Sequence, residues 1–285
     1  MSVVNIDDVQ QADPATAFRR DGFALLRGFY DLDSEIRPVQ RQIAELIGLV
    51  AEKHGLAAPI ASAHQAMTAG MAALIAADRR LGGVVYDAVK QIPAFCRLVS
   101  SEKSLTLFET LRPGALSAIA AGGFGVRIDH PNEDKFRTFW HQEFHGQLRS
   151  PGGVVFWSPL LPVDETMGPV ALAIGSHSEG ALPVYDDVAG GRAGAYALRL
   201  ADEDAALAGR DIVRPLTEPG DLLAIDFLTL HRSGLNRAAH ARWSMQFRYY
   251  DFLEPVGRTI DWAGSYAAGT GFAALFPALR ASDSR

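Results

Sequence analysis

The sequence predicts an α+β fold with a mainly β core: a sandwich or barrel of short strands carrying a helical N-terminal layer. Two observations predict it. Through the first hundred residues apolar side chains recur at helical spacing. After about residue 105, short apolar segments alternate with Gly, Pro, Asn and Asp clusters, the texture of close-set strands and turns. Helices first and strands later implies segregated layers rather than alternating β-α units. Apolar residues make up 48% of the 285, which is enough to bury a substantial core.

Taken in order, residues 14–20 (PATAFRR) read as a short helix, closed by Gly22 before a strand-length apolar run at 23–29. From 33 to about 52, Ile36, Val39, Ile43, Leu46 and Ile47 form one helical stripe. Helical patterns recur at about 61–77 and 83–99, punctuated by Pro59 and Gly82-Gly83. The strand-like segments that follow are GVRID, TFWHQEFH, GVVFWSPL, PVALAIG, DLLAIDFLTL and WSMQFRYYDF. Residues 178–198, rich in Gly and Ala, read as a long loop that shapes a pocket. No internal repeat is present, so one domain is expected over 1–285. Its parts are a mostly helical layer to 105, the β core over 106–255 and a tail at 256–285.

Charge narrows the partners. Lys and Arg number 27 against 33 Asp and Glu, a net charge of −6 with no basic block, which argues against nucleic acid and anionic membranes. No uncharged apolar run approaches the ~18 residues of a membrane span. The single cysteine, Cys96, reads as a small core residue and permits no internal disulfide. With no signal-like start, the expected location is the cytoplasm, and a small molecule is the expected partner. Oligomeric state is not legible.

The chemistry concentrates in Trp140-His141-Gln142-Glu143-Phe144-His145. A helix would put His141 and His145 on one face, as in zinc proteases, but that motif needs glutamate where Gln142 stands. On a strand, His141, Glu143 and His145 would share one face, and the flanking Phe139, Trp140 and Phe144 favour a strand. A third ligand is expected from His231, at the end of the apolar run Asp226–Leu230. Two histidines and one carboxylate with open positions form the triad of non-heme Fe(II) oxygenases. Zinc accepts the same donors. Arg242, in the next strand-like run, is suited to a carboxylate and is costly to bury without one, which points to a dicarboxylate cosubstrate. Arg127 and Asp129, two apart on one strand, are expected to pair, with Arg127 and His145 as candidate substrate contacts.

In these blocks the chain resembles the phytanoyl-CoA dioxygenase family of Fe(II)/2-oxoglutarate oxygenases. The matching segments are WHQE (140–143), WSPL (157–160), MGPVALAIGSH (167–177) and PGDLLAIDFLTLHRSGLNRA (219–238), with the spaced Arg242. The resemblance implies a double-stranded β-helix (a cupin-like jelly roll), with Fe(II), 2-oxoglutarate and O2 as cofactor and cosubstrates. It implies His141, Glu143 and His231 as iron ligands and Arg242, with Ser244 beside it, as partner of the distal 2-oxoglutarate carboxylate. Gln142 and Trp157 match positions lining the cosubstrate site. Glu143 departs from the family's more usual aspartate, and its carboxylate argues against halogenation, which needs a small residue there. The expected activity is oxidation, foremost hydroxylation, of a small metabolite with release of succinate and CO2. Its rivals are a cupin-like zinc or manganese hydrolase or isomerase, and a non-catalytic jelly-roll protein that binds a small anion.

Overall fold

A computed structural model describes residues 3, 4, 6, 13–187, 197–264 and 271–281. Helix α1 (Pro14–Asp21) starts with Pro14 after Asp13, whose carboxylate accepts from the Ala15 and Thr16 N–H groups. It ends at Gly22 in the left-handed region, φ 84°. A Cβ at Gly22 would lie 2.3 Å from Thr229 Oγ1 and 2.5 Å from His177 Nδ1. Only glycine therefore fits where the N-terminal segment crosses the loop that leads to His231.

Helix α2 (Arg37–Lys53) buries Val39, Ile43 and Ile47 of the expected stripe and adds Val50; Ile36 is buried just before it, and Leu46 is half-buried. Helices α3 (Met71–Ala77), α4 (Arg79–Ala88), α5 (Pro93–Val99) and α6 (Glu102–Leu111) complete the layer. The helical part thus runs past residue 105. Helix α6 is capped by Ser101 and buries Ser104, Leu107, Phe108 and Leu111, a 3–4 spacing present in the sequence but not read as a helix. Cys96 is exposed on α5 rather than in the core, because the helix turns Ala94, Phe95, Leu98 and Val99 inward instead.

Two sheets, antiparallel except for one two-residue pairing, carry the rest. The larger orders β2 (Phe23–Leu26), β10 (Leu222–Asp226), β5 (Val154–Pro159), β12 (Arg242–Asp251) and β3 (Ser117–Ile119), with β4 (Gly125–Asp129) also on β12. The smaller orders β1 (Val3–Val4), β9 (Ile212–Val213), β6 (Val170–Ala173) and β11 (His231–Ser233), and β1 pairs with β9 in parallel. Strand alternation assigns the faces. Trp243, Met245, Phe247 and Tyr249 of β12 join the core shared with the helices. Val155, Trp157, Leu223 and Ile225 face a second core, built with Leu172 and Val213 of the smaller sheet. The loop expected at 178–198 holds a two-stranded ribbon, β7 (Val184–Asp186) with β8 (Leu198–Leu200), and 188–196 lie outside the described residues. The tail expected at 256–285 is described at 256–264 and 271–281. No helix among the described residues is long and apolar enough to cross a membrane.

The strand expected across 138–145 is overturned. His141 makes a single bridge to His231, and the chain then turns into α7 (Glu143–Gln147). The ladder goes no further: the helix opens at Glu143, two residues on, and β11, paired with β6 on its other edge, is only three residues long. His231 likewise begins a strand rather than ending one: β10 stops at Asp226, and a turn closed by the Thr229 N–H on the Asp226 carbonyl intervenes.

Candidate metal centre

Across the bridge, His141 and His231 exchange backbone hydrogen bonds of 3.1 Å in both directions. This sets their rings side by side, centroids 4.2 Å apart. Nδ1 of His141 lies 2.8 Å from the Phe139 carbonyl and Nδ1 of His231 lies 2.9 Å from that of Thr229. A carbonyl only accepts, so each Nδ1 carries the proton and each Nε2 presents its lone pair. Both Nε2 atoms face Glu143 Oε2, at 3.8 Å for His141 and 3.6 Å for His231. The three donors all lie within 4.8 Å of one another. The helical turn at Glu143, not strand alternation, brings the carboxylate round to the imidazoles.

Glu143 uses its second oxygen elsewhere: Arg248 Nε donates to Oε1 at 3.0 Å. Burial works against the charge of Glu143, but the Arg248 guanidinium beside it favours the carboxylate, and the carboxyl is held well below its usual range. Burial, reinforced by His141, pushes the His231 pKa down. An ionised carboxylate and a neutral buried imidazole are the states metal binding requires. Two imidazoles and one carboxylate, second ring nitrogens anchored, fit a divalent first-row metal that keeps open positions. A cavity of about 130 Å³ opens on this cluster, and Trp157, Ser233 and Arg127 line it.

The other expected residues divide. Arg242 is 1% exposed and meets a carboxylate, but that of Asp129, with Nη2 2.8 Å from Oδ2. Nη1 donates to the carbonyls of Met167 and Gly168, and Arg242 does not line the metal cavity. The expected Arg127–Asp129 pair is present at 2.7 Å, so one carboxylate serves two guanidinium groups. Ser244, on the same face of β12, has a buried hydroxyl with no hydrogen-bond partner among the described residues. Trp157, Gln142 and His145 all line the cavity. The Gln142 side chain is committed to the scaffold: its amide donates to the Gly180 and Leu228 carbonyls and accepts from the Leu182 N–H. His145 is turned by α7 onto the Leu182 carbonyl at 2.9 Å and the edge of Phe272, and burial lowers its pKa to about 4. The sequence reading missed Arg248, although counting by twos from Arg242 through Ser244 and Gln246 reaches it.

Fold and site together define a helix-backed β protein with a mononuclear two-histidine, one-carboxylate centre. The sequence profile of the phytanoyl-CoA dioxygenase (PhyH) family matches residues 18–244, and the chain belongs to that family. It is therefore a non-heme iron, 2-oxoglutarate-dependent enzyme with Fe(II) and 2-oxoglutarate as its cofactors. No curated protein matches the chain. Among solved structures it is similar to the epimerase SnoN in complex with Fe3+, alpha ketoglutarate and nogalamycin RO (17% identity, TM-score 0.53, 87% of this chain and 85% of that one). It is also similar to AviO1 from Streptomyces viridochromogenes Tue57 (19% identity, TM-score 0.54, 87% and 97%). EvdO2 from Micromonospora carbonacea var. aurantiaca, complexed with 2-oxoglutarate, is a third (16% identity, TM-score 0.52, 87% and 96%). At these identities the likeness is one of fold.

Proposed function

We propose that the protein is a cytoplasmic, single-domain double-stranded β-helix enzyme that hydroxylates a small-molecule metabolite. One oxygen atom of O2 enters the substrate and the other enters the succinate formed, with CO2, from 2-oxoglutarate. The convergence of His141, Glu143 and His231, both Nε2 atoms on Glu143 Oε2, carries the reading. One core running from Ala17 to Tyr249 through helices and strands supports a single domain.

The bound metal supplies the oxidative step, and the chain's part is to hold, orient and keep water out. His141, Glu143 and His231 would hold the metal. Arg242 and Ser244 receive the distal carboxylate of 2-oxoglutarate, and Asp129 passes from Arg242 to Arg127 alone. In support, two guanidinium groups now share one carboxylate, and the buried Ser244 hydroxyl has no acceptor among the described residues. Trp157 forms an apolar wall of the metal cavity. Glu143 keeps the third ligand in place, which favours hydroxylation over halogenation. SnoN, a protein of similar fold, is an epimerase, which makes epimerisation the alternative outcome to test.

Anaerobic titration with Fe(II) and then 2-oxoglutarate tests the reading, through the visible charge-transfer absorption of the chelate, followed by succinate release on adding O2. Activity with zinc and without 2-oxoglutarate would replace the reading with a hydrolase or isomerase. Failure to bind either component would leave a binding protein.

A further inference from the structure

A second, larger cavity, of about 550 Å³, adjoins the metal cavity, and the two share Arg127, Gln147, Gln246 and Arg248 as common wall. Size separates their roles. Ligand sites typically run to about 300–1,000 Å³, so a 130 Å³ pocket holds a metal and a small diacid but no further metabolite. The larger chamber is of substrate size. Its wall includes Gly83 of α4 and Gly122, where an added Cβ would meet nothing within 4 Å, so bare backbone leaves room for a flat body. Tyr86 and Phe124 add aromatic surface.

Charge names the chemical class. Four cations line the chamber, Arg79, Lys90, Arg127 and Arg248, against one carboxylate, Asp129. Counting the salt-bridge partners Glu133, Asp87, Glu143 and Arg242, the ensemble holds five cations and four carboxylates among the described residues. A divalent metal adds two positive charges and 2-oxoglutarate offsets two, so one positive charge remains. It falls at Arg248, because a metal takes the charge of Glu143, the only carboxylate on Arg248 among the described residues. Among the described residues, three of the five Arg248 N–H groups are used, on Glu143, Gly123 and Gln246, in the wall between the cavities.

We propose that this chamber is the substrate site and takes an organic monoanion, whose carboxylate is received by Arg248 and whose body lies towards Gly83 and Tyr86. The inference rests on the oxygenase reading above and sharpens it: oxidation falls on a carbon near the carboxylate end. The probes are 2-naphthoate and its neutral isostere 2-naphthamide, titrated by NMR into protein loaded with Mn(II) or Zn(II) and 2-oxoglutarate. The expected result is at least tenfold tighter binding of naphthoate, with its protons relaxed by Mn(II) beyond the Zn(II) control. The variant Gly83→Leu should abolish probe binding while keeping metal and 2-oxoglutarate affinity, and Arg248→Gln at saturating metal should erase the preference for the anion. Binding of neither probe, equal binding of both, or naphthoate binding undisturbed by Gly83→Leu would overturn the proposal. Metal and cosubstrate binding in the same samples separate this outcome from failure of the oxygenase reading, since a protein that holds both but ignores the probes loses only the chamber.

Discussion

Replacing Asp129 by asparagine separates a structural Arg242 from a cosubstrate-binding one. Asp129 stands 2.8 Å from Arg242 and 2.7 Å from Arg127, with its side chain 13% exposed. Unit charges near 4 Å interact by about 4 kcal/mol at an effective dielectric of 20, and breaking a buried pair costs about 3–5 kcal/mol. Asp129→Asn should therefore lower the unfolding free energy of the metal-free, cosubstrate-free protein by about 3 kcal/mol. The same change removes the competitor for Arg242. A hydrogen bond to a charged group is worth about 1.5–3 kcal/mol, so 2-oxoglutarate should bind the Mn(II) form about tenfold or more tightly. Cosubstrate should then recover much of the lost stability. Calorimetric titration on the Mn(II) protein and urea unfolding with and without 2-oxoglutarate measure both quantities. Lost stability with unchanged or weaker cosubstrate affinity would refute the reasoning and leave Arg242 as scaffold.

The same carboxylate gives a pH signature. Burial opposes its charge, but Arg127 and Arg242 prevail and hold the pKa of Asp129 below its ordinary value. A depressed carboxylate contributes stability above its unfolded pKa that is lost as pH falls through the folded one, so wild type should lose stability below about pH 4 more steeply than Asp129→Asn, as read from urea midpoints. At the metal, His231→Ala should weaken Mn(II) binding by more than about a hundredfold, since even outer-shell losses reach that range; retained affinity would remove His231 from the ligand set. Gly234→Ala should cost about 2 kcal/mol or more in unfolding free energy, because its Cβ would fall 2.6 Å from Cα of Gly168, whose carbonyl accepts a hydrogen bond from Arg242.

What was legible in the sequence is what depends on local period and ligand chemistry. The stripe of α2 and the alternation of β12 follow from apolar spacing, and His141, Glu143 and His231 follow from donor type. Less legible was anything decided by where a partner strand ends. Phe139, Trp140 and Phe144 favour a strand, yet three-residue β11 offers His141 one bridge only, and the segment becomes a helical turn. That change turned His145, a candidate substrate contact, onto the Leu182 carbonyl, and it brought Glu143 round to the imidazoles by a helical turn instead of strand alternation. Arg242 was read as buried and in need of an anion, which it is. The sequence could not say that Asp129, 113 residues earlier, supplies one, because that depends on the registry of β4 against β12.

Registry also bears on the length of the Glu143 side chain. Glu143 opens α7 and bridges two tasks: Oε2 meets both imidazoles, and Oε1 accepts from Arg248, 105 residues away on β12. An aspartate is one methylene shorter and cannot keep both contacts without moving the helix. Glu143→Asp should weaken Mn(II) binding by about 10–100-fold, in the range of outer-shell losses, by surrendering Arg248. Arg248→Gln should do similar damage by freeing Oε1 from its anchor. If the pair acts as one unit, the double variant should be little worse than either single, with a coupling of about 1–3 kcal/mol. Additive losses in the double variant would mean that Arg248 leaves the ligand's position alone and that the length of Glu143 has another cause.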